Sequence, residues 1–204
     1  LESNEEQSKV QPPALLMSTG NVTTFTLVED APMWDGTVAT GFEIGSGTQI
    51  EPYLISNGEE LAYLAQQVNN GTTYEGVYFQ LTSDINLNNQ QWTPIGTYTN
   101  SFRGILDGAG HTIGNARITI SSLATSVTSY GILGSIGGGN SDTELRNIQF
   151  ENISITLTAN GNTANTNTEK GYNVGFVTGT MFKNSTVKNV IVKGCSVTDT
   201  NTIT

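Results

Sequence analysis

A repeat constrains this chain more than any other feature. Residues 144 to 156 read ELRNIQFENISIT, and residues 186 to 198 read TVKNVIVKGCSVT. At a constant spacing of 42 residues, Leu145 aligns with Val187, Asn147 with Asn189, Ile148 with Val190, Phe150 with Val192 and Ile155 with Val197. Upstream, GILGSI from Gly131 resembles GFVTGTM from Gly175, at a spacing of 44. Short strand-like units that recur without intervening helices fit a solenoid, in which each unit buries its apolar face only by stacking on its neighbours. The alternation Leu145, Asn147 breaks to Ile148 and Phe150, which marks a corner. Asn147 and Asn189 suit it because asparagine tolerates the left-handed conformation.

The register also assigns the single cysteine. Cys195 aligns with Ile153, an apolar position, so it reads as a small core residue and not a nucleophile. One cysteine forms no internal disulfide and no cysteine-rich metal site.

One segment departs from strand character. SNGEELAYLAQQVNNG, residues 56 to 71, places Leu61, Leu64, Ala65 and Val68 on one helical face. Ser56 with Glu59 fits a capping box, and Asn69, Asn70 and Gly71 supply a left-handed stop. A helix over residues 57–69 is expected to cap the first coils.

Composition closes off several classes. Net charge is −10, with the eight lysines and arginines scattered, which speaks against nucleic acid. No apolar run spans a bilayer. The polar opening LESNEEQSKVQPPA reads as a flexible tether over residues 1–30, with one strand near 23–28, or as the trimmed end of an exported protein. Sequons at Asn21, Asn70, Asn152 and Asn184 carry little weight in a chain so rich in Asn, Ser and Thr.

The series GSGTQIEPYLI, ELAYLAQQVNNG, YFQLTSDINL, WTPIG and FRGILDGAGHTI resembles the opening of many bacterial surface and secreted proteins with right-handed β-helix repeats. YGILGSI with LRNIQFENISI, and VGFVTGTM with VKNVIVKGCSV, resemble the Gly-rich GLUG motifs. Those motifs occur in bacterial adhesins and in some immunoglobulin-cleaving peptidases outside the catalytic domain. The resemblance covers roughly residues 34 to 199. It departs at Ser135 and Thr178, which replace the second glycine of the cassette. TNTIT follows the last rung with no visible cap, so the natural protein is expected to continue there or to meet a partner end to end.

FRGILDGAGHTIGN, residues 102 to 115, holds the only histidine. Phe102, Gly104 and Leu106 alternate toward the core, Asp107–Gly108 makes the turn, and Gly108 and Gly110 supply backbone freedom. His111 then satisfies a turn carbonyl or the Asp107 carboxylate. The competing reading is catalytic. β-Helical lyases and hydrolases use carboxylates and a base in a groove along the coils, and Asp84, Asp107 and Arg103 are the residues such a site would recruit. Each also has a plain turn role. GSIGGGN, residues 134 to 140, lacks the lysine and the strand-to-helix context of a phosphate loop. Trp34, Trp92, Tyr53, Tyr63, Tyr74 and Tyr98 offer faces for sugars, although packing of the cap explains them equally.

The expectation is therefore an all-β chain, a right-handed parallel β-helix over residues 31–204 with a short N-terminal capping α-helix. No catalytic, cofactor-binding or metal-ligating residue is assigned, and no cofactor is expected. The expected role is a non-catalytic, adhesin-like module, exported, presenting a repetitive polar face to a glycan or a surface protein. Its relation to a membrane would be peripheral, lipoprotein-like, through an N-terminal anchor. A polysaccharide lyase or glycoside hydrolase, and a structural spacer, are the alternatives.

Overall fold

The computed structural model describes residues 31–121, 126–158 and 171–200. The tether over 1–30 and its strand lie outside the described residues. The strands are β1 (Tyr53–Ile55), β2 (Tyr78–Leu81), β3 (Ile85–Asn86), β4 (Ile105–Asp107), β5 (Thr112–Gly114), β6 (Arg117–Ile120) and β7 (Val127–Tyr130). They continue with β8 (Leu133–Ile136), β9 (Thr143–Glu151), β10 (Ser154–Leu157), β11 (Gly171–Val174), β12 (Thr178–Met181), β13 (Ser185–Lys193) and β14 (Ser196–Asp199). Among the described residues a single helix, α1 (Gly58–Asn69), follows β1. The architecture is all-β apart from α1, and every strand pair is parallel.

Pairing joins each pass of the chain to the next. β1, β2, β4, β9 and β13 form one stack, while β5 pairs onto the second half of β9 and β3 pairs onto β5. The remaining stacks are β6–β10–β14, β7–β11 and β8–β12. The repeat is the register itself: Leu145 pairs with Val187, Phe150 with Val192 and Ile155 with Val197. On the opposite side the spacing drifts, from 44 at Tyr130 with Val174 to 45 at Ser135 with Thr180. One extra residue near Phe176 takes up the slack. Gly134 stands beside Gly179, and Ser135 pairs with Thr180. A Cβ at Gly134 would lie 2.1 Å from the Gly96 carbonyl, and one at Gly179 would lie 2.5 Å from that of Asn173.

Apolar side chains line up along these registers. Ile85, Ile113 and Phe150 form one buried file, and Ile118 with Ile155 another. Each fully buried side chain of this size stabilises the fold by about 1.5–3 kcal/mol. The files lose their cover at the last described pass. Phe150 is 0% exposed whereas Val192 is 41%, and Ile155 is 1% exposed whereas Val197 is 58%.

The corners carry polar ladders. Asn147, in the middle of β9, and Asn189, in β13, both have φ near +50°. Asn189 Nδ2 donates to Asn147 Oδ1, and Asn147 Nδ2 donates to Asp107 Oδ1, each at 3.1 Å. A second ladder runs from Asn152 to Asn115 to Asn86. Carboxamides suit these corners because each both donates and accepts, satisfying the passes above and below.

The helix forms one residue later than the capping box implies. Asn57 is the N-cap and its side chain accepts from the Glu60 amide. Glu60, not Glu59, returns the bond, its Oε2 accepting from the Ser56 amide at 2.8 Å. Asn57 stands three residues before that amide in extended backbone, and its Oδ1 reaches it at 2.9 Å. At the other end Gly71 alone is left-handed, and the Gly71 and Thr72 amides bond the Val68 and Gln67 carbonyls. Leu61, Leu64, Ala65 and Val68 join the core, and Trp34 packs so closely that a Cβ at Gly58 would lie 2.5 Å from its ring.

Candidate functional site

Asp84, Asp107, His111 and Arg103 are not one site. His111 Nδ1 lies 3.2 Å from Asp84 Oδ1, an oxygen that also accepts from the Thr112 amide at 2.9 Å. The histidine therefore braces the preceding pass and does not close its own turn on Asp107, because β5 is seated on β3 and brings Asp84 closer. Asp107 accepts from the Ala109 amide, from Arg146 Nε at 2.7 Å and from Asn147 Nδ2. Burial pushes its carboxyl up, but the three donors outweigh that and hold it below the ordinary carboxylate value. Arg103 turns elsewhere, 3.8 Å from Glu75. Arg146, the actual partner of Asp107, gave no signal in the sequence, since nothing local marks a residue one pass away.

The turn itself uses its glycines differently from the expectation. Ala109 and Gly110 hold the positive φ angles. Gly108 does not. It is required because a Cβ there would lie 2.5 Å from both the Asn147 carbonyl and the Ile148 Cβ.

The Gly-rich loop after β8 does bind an anion, the protein's own. The Asn140 and Ser141 amides donate to Glu75 Oε1 at 2.6 and 2.8 Å. Those two bonds hold the Glu75 carboxyl below its ordinary value. Cys195 is half-buried, with its Sγ accepting from the Ile153 amide, and burial pushes the thiol up, away from the reactive thiolate. Its cover is incomplete because it belongs to the last described pass.

The candidate aromatic faces are mostly spent on packing. Tyr53, Tyr63 and Tyr74 gather around Phe42, and burial pushes the Tyr74 hydroxyl up to about 12. Trp34 and Trp92 meet edge to face with centroids 5.6 Å apart, and Trp92 Nε1 donates to the Ile132 carbonyl. Tyr98 remains largely exposed, edge-on to Phe182. A groove of about 320 Å³ runs beside α1, bordered by Trp34, Gln66, Asn69, Asn70, Gln91 and Trp92. Among the described residues, no group of three or more His, Cys, Asp or Glu side chains is placed to hold a metal.

Two outward faces differ in chemistry. On β9 and β13, Glu144 takes Arg146 at 3.2 Å and Lys188 at 2.6 Å, while Lys193 lies 3.6 Å from Glu151. That face satisfies itself. On β6, β10 and β14, alternation turns Arg117 and Thr119, then Ser154 and Thr156, then Ser196 and Thr198 outward in register. Parallel neighbours lie about 4.8 Å apart, so this is a grid of like groups at strand spacing. The hydroxyls of Ser154, Thr156, Ser196 and Thr198 make no hydrogen bond among the described residues. Sequence reasoning expected a polar face and did not choose among the faces.

Over 170 residues the chain is 33% identical to halomucin of Haloquadratum walsbyi, a match covering 78% of this chain and 2% of halomucin. The chain thus spans a small fraction of that relative. No protein-family model and no solved structure matches it.

Proposed function

We propose that the chain winds as a right-handed parallel β-helix of GLUG-like repeats, capped by α1, and serves outside the cell or on its surface as a non-catalytic, adhesin-like binding module. Uniformly parallel pairing at a near-constant repeat supports the winding, and parallel crossovers within a sheet are right-handed in almost all proteins. Likeness to halomucin supports the extracellular setting.

The observation that carries the binding role is the grid of unspent hydroxyls on β10 and β14 beside Arg117 and Thr119. Hydroxyls both donate and accept, which matches the edges of sugars and of extended peptides. Repetition at one spacing turns individually weak contacts into useful avidity against a ligand that itself repeats. The test is a glycan and extracellular-matrix array probed with the purified chain, with and without calcium. Reproducible retention on one class, weakened about tenfold or more in a Thr156→Val, Thr198→Val double variant of unchanged melting temperature, supports the reading. Equal binding by wild type and variant, or a blank array, overturns it.

A further inference from the structure

We infer that Asn70 is an acceptor site for N-linked glycosylation, and that the folded chain offers it in preference to the other described sequons. Three sequons fall among the described residues: Asn70-Gly71-Thr72, Asn152-Ile153-Ser154 and Asn184-Ser185-Thr186. The motif alone does not separate them. Their surroundings do.

Transfer of an oligosaccharide from a polyprenyl-phosphate-linked donor joins Asn Nδ2 to the sugar C1. The bond from C1 to the phosphate oxygen breaks, the lipid phosphate leaves with the electron pair, and one amide proton passes to solvent or to a base of the transferase. The acceptor therefore needs a free carboxamide, a hydroxyl two residues on, and a backbone that the transferase can grip. Asn152 is committed: its Nδ2 donates to Asn115 Oδ1 in the corner ladder, and Ile153 is fully buried. Ser154 already belongs to β10. Asn184 is committed as well, its Nδ2 donating to the Gly139 carbonyl at 3.0 Å, while Ser185 and Thr186 are held in β13.

Asn70 differs in its side chains and in lying outside the sheets, its backbone being held only by the C-cap bonds of the Asn70, Gly71 and Thr72 amides to the last turn of α1. Asn70, Gly71 and Thr72 are all exposed, and all lie between the end of α1 and β2, outside any sheet. Neither the Asn70 carboxamide nor the Thr72 hydroxyl makes a hydrogen bond among the described residues. Asn70 also lines the groove bordered by Trp34, Gln66 and Gln91, which gives the first sugars a wall of mixed apolar and polar groups to lie on. The site requires the extracellular setting proposed above, but its chemistry is independent of what the hydroxyl face binds.

The purified folded chain is incubated with a single-subunit oligosaccharyltransferase of relaxed N-x-S/T specificity and a polyprenyl-linked oligosaccharide. Sites are then mapped by mass spectrometry of protease digests, alongside urea-unfolded chain. The expected result is occupancy at Asn70 about tenfold or more above Asn152 and Asn184 in the folded chain, because those two become available only through local unfolding. The difference should shrink in the unfolded chain. Asn70→Gln and Thr72→Val, the second keeping the carboxamide, should each abolish the Asn70 signal. Comparable occupancy at all three sites in the folded chain, or none at Asn70 in either state, overturns the inference.

Discussion

Substituting alanine at Gly108 and at Gly110 separates two reasons for a glycine in one turn. At Gly108 the added Cβ meets backbone of the next pass, 2.5 Å from the Asn147 carbonyl and 2.7 Å from the Ile148 Cα. Neither atom is a flexible tip. Retreat of that strand would stretch the bonds from the Gly108 amide to the Arg146 carbonyl and from the Gly110 amide to the Asn147 carbonyl, both 2.8 Å. Overpacking costs about 1–3 kcal/mol and each weakened hydrogen bond about 1 kcal/mol, so Gly108→Ala should cost about 3–5 kcal/mol. At Gly110 nothing lies within 4 Å of the added Cβ, but φ is +89°. The cost there is conformational, about 1–2 kcal/mol. Urea unfolding followed by the fluorescence of buried Trp34 and Trp92 measures both, and Gly108→Ala should lower the melting temperature by roughly 10 °C. If Gly108→Ala costs no more than Gly110→Ala, the passes are not stacked as tightly as argued, and the account of this turn fails.

Three further outcomes follow from the same geometry. Phe150→Ala should cost about 3–5 kcal/mol, while Val192→Ala, its partner in the register but 41% exposed, should cost under about 1 kcal/mol in the same unfolding assay. Thr143→Val should stabilise the chain by about 1 kcal/mol, because the buried Thr143 hydroxyl has no partner among the described residues, and calorimetry will show whether the melting temperature rises. Asp107 and Glu144 both have folded-state pKa values below the ordinary 3.8 and 4.5, so their contribution is complete above those values and is lost as the pH falls through the lowered ones. A melting profile against pH should therefore drop in that acidic window for wild type and flatten for Asp107→Asn; a parallel drop in the variant would remove Asp107 from the explanation.

Legibility differed between the core and the candidate site. The pairing of Leu145 with Val187 and of Phe150 with Val192 was readable because a stacked repeat turns equal spacing in sequence into adjacency in space. Asn147 and Asn189 were readable as corners for the same reason. The partner of His111 was not. Nothing in FRGILDGAGHTI encodes which residue of the preceding pass, at a spacing unlike the 42-residue repeat, comes to rest beside the imidazole. Nor did the motif reveal that Gly108 is needed for clearance and Gly110 for its dihedral angle, since both read as flexible turn glycines until the neighbouring strand is in place.

The sequence by itself determined the strand-rich character, the apolar files, the corner asparagines and the single helix, because each depends on local alternation or on a repeat visible along the chain. Tertiary structure alone decided which polar groups are spent and which are free. Glu75 takes the amides of a loop 65 residues away, Asp107 takes Arg146, and Asn152 is locked while Asn70 is open. Hydrogen bonds between passes join residues whose separation depends on loop lengths, so only the assembled stack fixes which donors and acceptors remain for a ligand or a modifying enzyme.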